Sequence, residues 1–436
     1  MLFYDIRTAF QSLRRNPILS SLLIGAIAIG ICVSTSFIAL RHLMEKDPLP
    51  GRSRTIFNVR LDSWGLERPY DPSDPKALPR QITYRDMRGL MQSNIPTRQT
   101  GAFVTRSFIF PDPKAGRPYR DNVRLVFSDF FPMFGIPFEH GGGWDKAADA
   151  KPEQVVVIDH ATNEKLFGGA NSVGRKIRID EREYKVTGVI ARDWRPSVRP
   201  YDLTQGMQPP EGVFMPFNFT PILQLFTTGN VDAWKNSGND YASFLNSETV
   251  WIQFWVELPT REKQRAYRDF VDNYVRGQKE IGRFVRPLHT EVTSLPDLMV
   301  EMKIIPQSVK SMSIVSVLFL VVCSLNLVGL LLGKFLARIP EVSVRRALGA
   351  SRFQIFRQHV VECELVGVTG GVIGIALSLG VLKLIAKSLP SGQFIRLDVE
   401  MIAVAIVLSL IAGLLAGIYP SWRVSTVAPA MQLKIQ

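Results

Sequence analysis

Four stretches of the chain, 18–40, 311–332, 366–385 and 399–419, are almost wholly apolar. Each is close to the roughly 20 residues that a helix needs to cross about 30 Å of hydrocarbon. The hydrophobic residues make up 46% of the 436-residue chain, a share that would suit a soluble protein if it were spread evenly. It is concentrated in these blocks. Buried core helices, or a cleaved signal peptide at the first block, are the alternatives. The first block is longer than a signal h-region of roughly 7–15 residues, and no small-residue cleavage site follows it. The pattern therefore predicts four membrane spans and an uncleaved first helix.

Lys and Arg gather beside particular ends of these blocks, and that bias orients the chain. Arg7, Arg14 and Arg15 precede the first block. Lys334, Arg338, Arg345, Arg346, Arg352 and Arg357 fill the gap between the second and third, and Arg423 and Lys434 follow the fourth. Between the third and fourth, Lys387 and Arg396 are balanced by Asp398 and Glu400. Both termini and the second connection are expected in the cytoplasm, with 41–310 outside. The expected organisation is an amphipathic helix over 1–17, spans over 18–40, 311–333, 363–386 and 399–419, an elbow at 334–362, an external link at 387–398 and a cytoplasmic tail at 420–436. The fold class is an α+β membrane protein, with four transmembrane helices and a large α+β domain between the first and second. The formal charge of +13 does not argue for nucleic acid. Its densest cluster is pinned to the membrane surface, where each Lys or Arg attracts anionic lipid by about 1 kcal/mol. Cys32, Cys323 and Cys363 all lie in or beside the spans, so the external domain must hold together without disulfides.

Leu2, Phe3, Ile6, Phe10 and Leu13 recur at helical spacing, with Asp5, Arg7, Gln11 and Arg14 opposite. This suits a helix in the cytoplasmic interface or one packed on a partner, ended by Asn16-Pro17. In the external region, 54–61 alternates like a strand and 83–93 has helical spacing. Residues 153–158 form a buried-type strand, 161–168 a helix stopped by glycine, and 174–190 two strands joined by a turn. A strand over 249–258 precedes a helix over 262–277. Segments 65–80 and 196–212 read as loops. Strands interleaved with single helices imply an α+β unit, with an inserted subdomain at about 105–248.

Small residues four apart let helix backbones approach in lipid. Gly329 and Gly333, Gly367 and Gly371, Gly370 and Gly374, and Gly413 and Gly417 have that spacing, which favours a tight bundle or a dimer over single anchors. Asn326 is expected to hydrogen-bond between helices, with a transport-site role as the alternative.

Signs of catalysis are missing. Residues 168–177 carry Gly169 and Gly174 at phosphate-loop spacing, but Arg175 and Lys176 stand where Lys and then Ser or Thr are needed, and the segment runs from helix into strand. His42, His140, His160, His289 and His359 are scattered, with no partner at metal-ligand spacing and no sign of a triad. His140, beside three glycines, reads as loop. Glu181 and Glu183 read as a solvated strand face. The chain is not expected to be an enzyme or to hold a metal or cofactor.

The gap between the second and third spans, RIPEVSVRRALGASRFQIFRQHVVE, carries the clearest functional signal. Pro340 and Glu341 suit a first helical turn, where proline sacrifices no bond and the acid meets the positive helix end. Gly349 can take the left-handed conformation that stops this helix. Ser351 and Gln354 then form a capping-box pattern for a second helix that runs into the third span. Val344, Ala347 and Leu348 share one face, while Arg345, Arg346 and Arg352 project elsewhere. A positive-inside anchor would need only the basic residues. A rigid elbow is something a partner could push against.

These residues also resemble a known family. The stretch EVSVRRALGASRFQIFRQHVVE is similar to the pattern after the second span in MacB/FtsX-type permeases of ABC transporters, the type VII superfamily. VVVIDHATNEKLFGGANSVGRKIRIDEREYKVTGVIARD resembles the family's periplasmic core domain, and LLAGIYPSWRVSTVAPAMQLK its closing segment. The sequence departs at RIPEVS, where the family usually has Arg-Thr-Arg-Glu-Ile-Gly, so that Pro340 replaces a basic residue. The resemblance implies an inner-membrane permease subunit without its own nucleotide-binding domain, working with a separate ABC ATPase and a second permease subunit. It also implies that Arg345, Arg346, Ala347, Leu348, Gly349, Ala350, Ser351 and Arg352 dock on that ATPase. ATP-driven closure would then pass through stiff spans to the external domains (mechanotransmission). The expected function is export of a peptide, toxin or small amphiphile, with a periplasmic adaptor and outer-membrane duct as further partners. The alternatives are lipoprotein release, activation of a cell-wall hydrolase, and a membrane sensor that moves nothing.

Overall fold

A computed structural model describes residues 2–67, 69–111, 117–194, 198–203, 211–388 and 399–427. Residues 389–398 of the link, 428–436 of the tail, and 196–197 and 204–210 of the 196–212 loop lie outside the described residues. Helix α1 (Leu2–Arg15) meets α2 (Pro17–Glu45) at Asn16, where Pro17 opens the second helix. Strand β1 (Ile56–Leu61) and α3 (Tyr84–Leu90) precede the antiparallel pair β2 (Arg98–Phe110) and β3 (Tyr119–Val126). Next come α4 (Phe130–Met133), β4 (Phe138–Gly141), α5 (Lys146–Ala150), β5 (Val155–Ile158), α6 (His160–Phe167), β6 (Lys176–Ile179) and β7 (Arg182–Ile190). Then follow β8 (Val213–Pro216), α7 (Phe219–Leu223), α8 (Tyr241–Leu245), β9 (Gln253–Glu257), α9 (Arg261–Glu280), β10 (Thr290–Ser294) and α10 (Leu295–Glu301). The remaining helices are α11 (Gln307–Leu336), α12 (Ile339–Ala347), α13 (Arg352–Ser388) and α14 (Val399–Ser425).

These elements form two compact units, one of Met1–Lys46 with Ile305–Gln436 and one of Asp47–Ile304. In the first, α2, α11, α13 and α14 are each long and apolar enough to cross a membrane. α13 packs on α14 and α2, and α11 packs on the same two helices. Serines link them at depth: Ser34 Oγ donates to Ser316 O at 2.7 Å, and Ser36 Oγ lies 3.1 Å from Ser378 Oγ.

The second unit is an α+β domain around one sheet of ten strands among the described residues. The inserted subdomain expected over about 105–248 would begin inside β2, which runs unbroken from Arg98 to Phe110. β2 begins at Arg98 paired with β9 and continues to Ile109 paired with β3 and β6. From there β3 joins β8, β8 joins β5, β5 joins β7, β7 joins β6, and β6 returns to β2. Six strands thus close a ring that shares β2 with the open half of the sheet. Closure removes the free edges that would otherwise template aggregation.

Alternation along the strands explains both cores. Val156 and Ile158, Val213 and Met215, Tyr184 and Val186 point into the ring interior, while Val157, Phe214 and Trp255 face a second cluster that is rich in phenylalanine. Strand β5 is buried on both faces, which is why it reads as an unbroken apolar run. Aspartate, serine and threonine side chains open several helices: Asp159 Oδ1 accepts from Thr162 N at 2.7 Å, and Gly168 ends α6 at φ +66°. His140, expected in a loop, lies in β4 opposite Val189.

With no disulfide available, the domain buries charge in pairs. Arg124 Nη2 lies 2.6 Å from Asp202 and 2.7 Å from Glu211, and Arg199 Nη1 donates to Glu211 at 2.5 Å, all of them buried. Burial alone would raise the pKa of Glu211. Arg124 and then Arg199 reverse that effect and hold it at about 2. On the far side of the sheet, Arg283 bridges Asp86 at 2.8 Å and Glu248 at 2.7 Å.

Candidate coupling elbow

Helix α12 begins on Arg338 with Pro340 in its first turn and Glu341 beside the positive end, and its last turn carries Arg345 and Arg346. These charges complement the helix dipole. The helix stops as Gly349 N and Ala350 N donate back to Arg346 O and Arg345 O, both at 3.1 Å, with Gly349 at φ +100°. Only glycine takes that backbone without strain. Two residues later α13 opens on a reciprocal cap: Gln354 N donates to Ser351 Oγ at 3.1 Å and Ser351 N to Gln354 Oε1 at 2.9 Å. From there α13 runs unbroken through the third apolar block.

The elbow's arginines turn inward more than the sequence suggests. Arg345 donates to Glu341 at 2.8 Å and to Gln358 at 3.2 Å, so it braces α12 to α13. Arg346 Nη1 donates to Val427 O at 2.6 Å, tying the elbow to the chain beyond α14. Ile339, Val342 and Ser343 face inward. Ala350 is half-buried, while Ala347, Ser351 and Arg352 are exposed. The apolar face formed by Val344, Ala347 and Leu348 points outward, and Leu348 is 83% exposed. Phe353, not singled out from the sequence, joins it at 67% exposure. A leucine and a phenylalanine are thus held out on a braced turn.

Below the turn lies a polar knot that sequence reasoning missed. Lys334 Nζ is 2.7 Å from Glu362, and both are buried. Ser12 Oγ also donates to Glu362, and Arg338 Nη1 donates to Ser12 at 2.6 Å. Arg357 Nε donates to Asp5 at 3.0 Å. Helix α1 therefore packs on α13 through its polar side, with Asp5, Ala9 and Ser12 buried and Ile6 and Phe10 exposed. The periodicity of α1 reveals an apolar stripe, but not the acid on Asp5 that answers Arg357.

The glycines divide. A Cβ added at Gly371 would fall 2.5 Å from Ser409 Cβ and one at Gly417 2.4 Å from Cys363 Cβ, while at Gly367 and Gly413 the nearest atoms lie at 3.0 and 3.1 Å, so these four seat α13 against α14. Gly370 and Gly374 meet Ile27 and Ile31 of α2. Gly329 and Gly333, expected to pack in the same way, have nothing within 4 Å of the added atom. Asn326, on the same helix, is exposed and makes no hydrogen bond among the described residues, in place of the interhelical bond expected of it.

Against known families, the MacB-like periplasmic core domain matches residues 20–269, more than half of the chain, and the FtsX-like permease C-terminal domain matches 313–429, elbow included. The chain belongs to the MacB/FtsX-type ABC transporter permeases. The α+β unit of this permease is thus its periplasmic core domain. A macrolide export ATP-binding/permease protein MacB from Acinetobacter baylyi is 25% identical over 321 residues, 72% of this chain and 43% of the relative. The Chromobacterium violaceum protein of the same name is 24% identical over 444 residues, 97% of this chain and 59% of its own. The permease therefore spans about half the length of the curated relatives it matches. The periplasmic region of MacB from Actinobacillus actinomycetemcomitans aligns with 58% of this chain and 95% of its own at 10% identity, with a TM-score of 0.38.

Proposed function

We propose that this permease couples ATP hydrolysis by a separate ABC ATPase subunit to movement of its periplasmic domain, for export of a peptide, toxin or small amphiphile. Both termini and the elbow lie in the cytoplasm of a bacterial cell, and the permease sits in the inner membrane. The observation that carries the reading is the exposed tip of Val344, Ala347, Leu348 and Phe353 on a base braced by Arg345–Glu341 and Arg346–Val427. A soft loop would absorb a push, whereas this turn has its helix ends tied and its apolar side chains out. ATP-driven closure of the ATPase pair presses on the tip, and α13 carries the displacement across the bilayer. Relatives named for macrolide export support the small amphiphile among the cargo classes.

The permease works as a pair, either with itself or with a second permease. Among the described residues, the α11 face that holds Asn326, Gly329 and Gly333 is exposed, with open space beside both glycines, and it supplies the close-approach surface that such a pair needs. A periplasmic adaptor and an outer-membrane duct complete the export route.

Co-purification with the cognate ATPase tests the docking. Leu348→Asp, alone and with Arg345→Glu, is expected to abolish capture while membrane insertion is retained. Leu348→Asp acts on the contact directly. Arg345→Glu sets a second carboxylate against Glu341 and loosens the brace. Undiminished capture by the double variant would overturn the assignment.

A further inference from the structure

The interior of the six-stranded ring is not filled to its end. A cavity of about 410 Å³ opens between β2, β3, β8 and the turn joining β6 to β7, beneath α7. Small-ligand sites occupy roughly 300–1,000 Å³. Its floor is apolar, from Val123, Ile179 and Met215, all buried. Two hydroxyls enter from the wall, Ser107 on β2 and Tyr184 on β7, and neither has a hydrogen-bond partner among the described residues.

The mouth is a built feature. Gln224, at φ +49°, turns the chain out of α7, and Tyr241 Oη fixes the segment, its one proton shared between Thr220 O at 2.9 Å and Leu225 O at 2.8 Å. Thr105 Oγ1 ties the same flap to β2 by donating to Phe226 O at 2.8 Å. Phe219 holds the Tyr184 ring edge-on, with centroids 5.7 Å apart. Opposite the flap stand Asp180, at φ +49° with Oδ1 accepting from Phe108 N at 2.8 Å, then Glu181 and Arg182. Glu181, expected on a solvated strand face, is exposed but stands in this turn at the cavity rim, without a partner among the described residues.

We propose that this cavity binds a small uncharged amphiphile, with its apolar body against Val123, Ile179 and Met215 and a hydroxyl- or amide-type head on Ser107 and Tyr184. Burial, with Asp180 adding to it against Arg182, pushes the Tyr184 phenol up to about 12, so it stays a neutral group that can donate and accept. Among the described residues the inner wall offers no counter-ion, and a charged head that left water there would be left unpaired. At the mouth Asp180 and Glu181 stand with Arg182, and Arg178 Nε donates to Asp180 O at 3.2 Å, so the rim balances its charges and draws in neither sign. The site is separate from the elbow and does not depend on the docking assigned to it.

Photo-labelling of the full-length permease in nanodiscs tests this, with a diazirine derivative of N-phenyl-1-naphthylamine as the neutral probe and the same derivative of 8-anilino-1-naphthalenesulfonate as the anionic one. The neutral probe should label 179–184 and 222–225 saturably, by peptide mapping, and the anionic probe should not. Tyr184→Phe keeps the ring and should weaken this labelling roughly threefold to tenfold, the worth of one hydrogen bond. Ser107→Trp should abolish it by filling the cavity, with labelling of the span helices through the lipid unchanged. Labelling confined to the spans in the wild type would overturn the proposal. So would ring labelling that Tyr184→Phe leaves unaltered, or equal labelling by the anionic probe.

Discussion

In the periplasmic domain, elements meet through large side chains; in the membrane unit they meet through backbone. Trp251 packs edge-on to Phe103 with centroids 4.7 Å apart, and Phe127 stacks on Phe217 at 4.8 Å. Between α13 and α2, by contrast, a single added carbon at Gly374 would sit 2.7 Å from Ala28 O. The solvent accounts for the difference. In water each buried aromatic ring removes a large apolar area, and that drives assembly. Lipid tails are as apolar as leucine, so the spans associate only where backbones come close enough for dispersion and polar contacts. Charge follows the same division. The domain sinks Arg124, Glu211 and Arg199 into its aromatic core, whereas the membrane unit gathers Lys334, Arg338 and Glu362 at the elbow end of its helices.

The largest effect should come from the buried ions. Glu211→Gln leaves Arg124 and Arg199 facing one another without their shared acid, and should destabilise the domain by about 3–5 kcal/mol in chemical unfolding. The same group sets an acid limit. Because Glu211 is held below its ordinary value of 4.5, its contribution is complete above about pH 4.5 and is lost as the pH falls towards 2. An unfolding midpoint that is flat across that window would break the ionic half of the comparison.

Next is Gly374→Val, which forces α13 off α2 against a backbone oxygen and should cost about 1–3 kcal/mol in detergent unfolding. A neutral result would mean that the spans do not rely on close approach. Gly349→Val moves a branched residue into a left-handed backbone and should cost about 1–2 kcal/mol, lowering capture of the ATPase proposed to dock there more than membrane insertion. Smallest is Gly329→Val, where open space awaits the side chain. Monomer stability should change by less than about 0.5 kcal/mol, while self-association measured by cross-linking should fall. A large loss of monomer stability there would erase the distinction between the glycines that are covered and those that are not.

The elbow was legible because its devices are local. Pro340, Gly349 and the Ser351/Gln354 pair each act within one turn, so spacing alone announces them. The spans were legible because length and apolarity suffice. The ring was not, since its closure depends on β6 reaching β2 some seventy residues earlier, a register that no local pattern encodes. Arg124 hid for a related reason: an arginine in YRDNVRLV reads as surface until Asp202 and Glu211 are seen to meet it. The contacts of Asp5 and Ser12 escaped notice because an interfacial helix is read by its apolar side, and here the polar side makes the contact. The outward position of Leu348 could have been suspected, since a leucine beside a glycine stop has little to pack on within its own helix.

The reciprocal cap at Ser351 starts a helix of 37 residues that contains no proline. At 1.5 Å per residue this is a rod of about 55 Å, so a tilt of about five degrees at its foot would sweep its head through roughly 5 Å. A small displacement at the capped end of such a rod becomes a large one at the other.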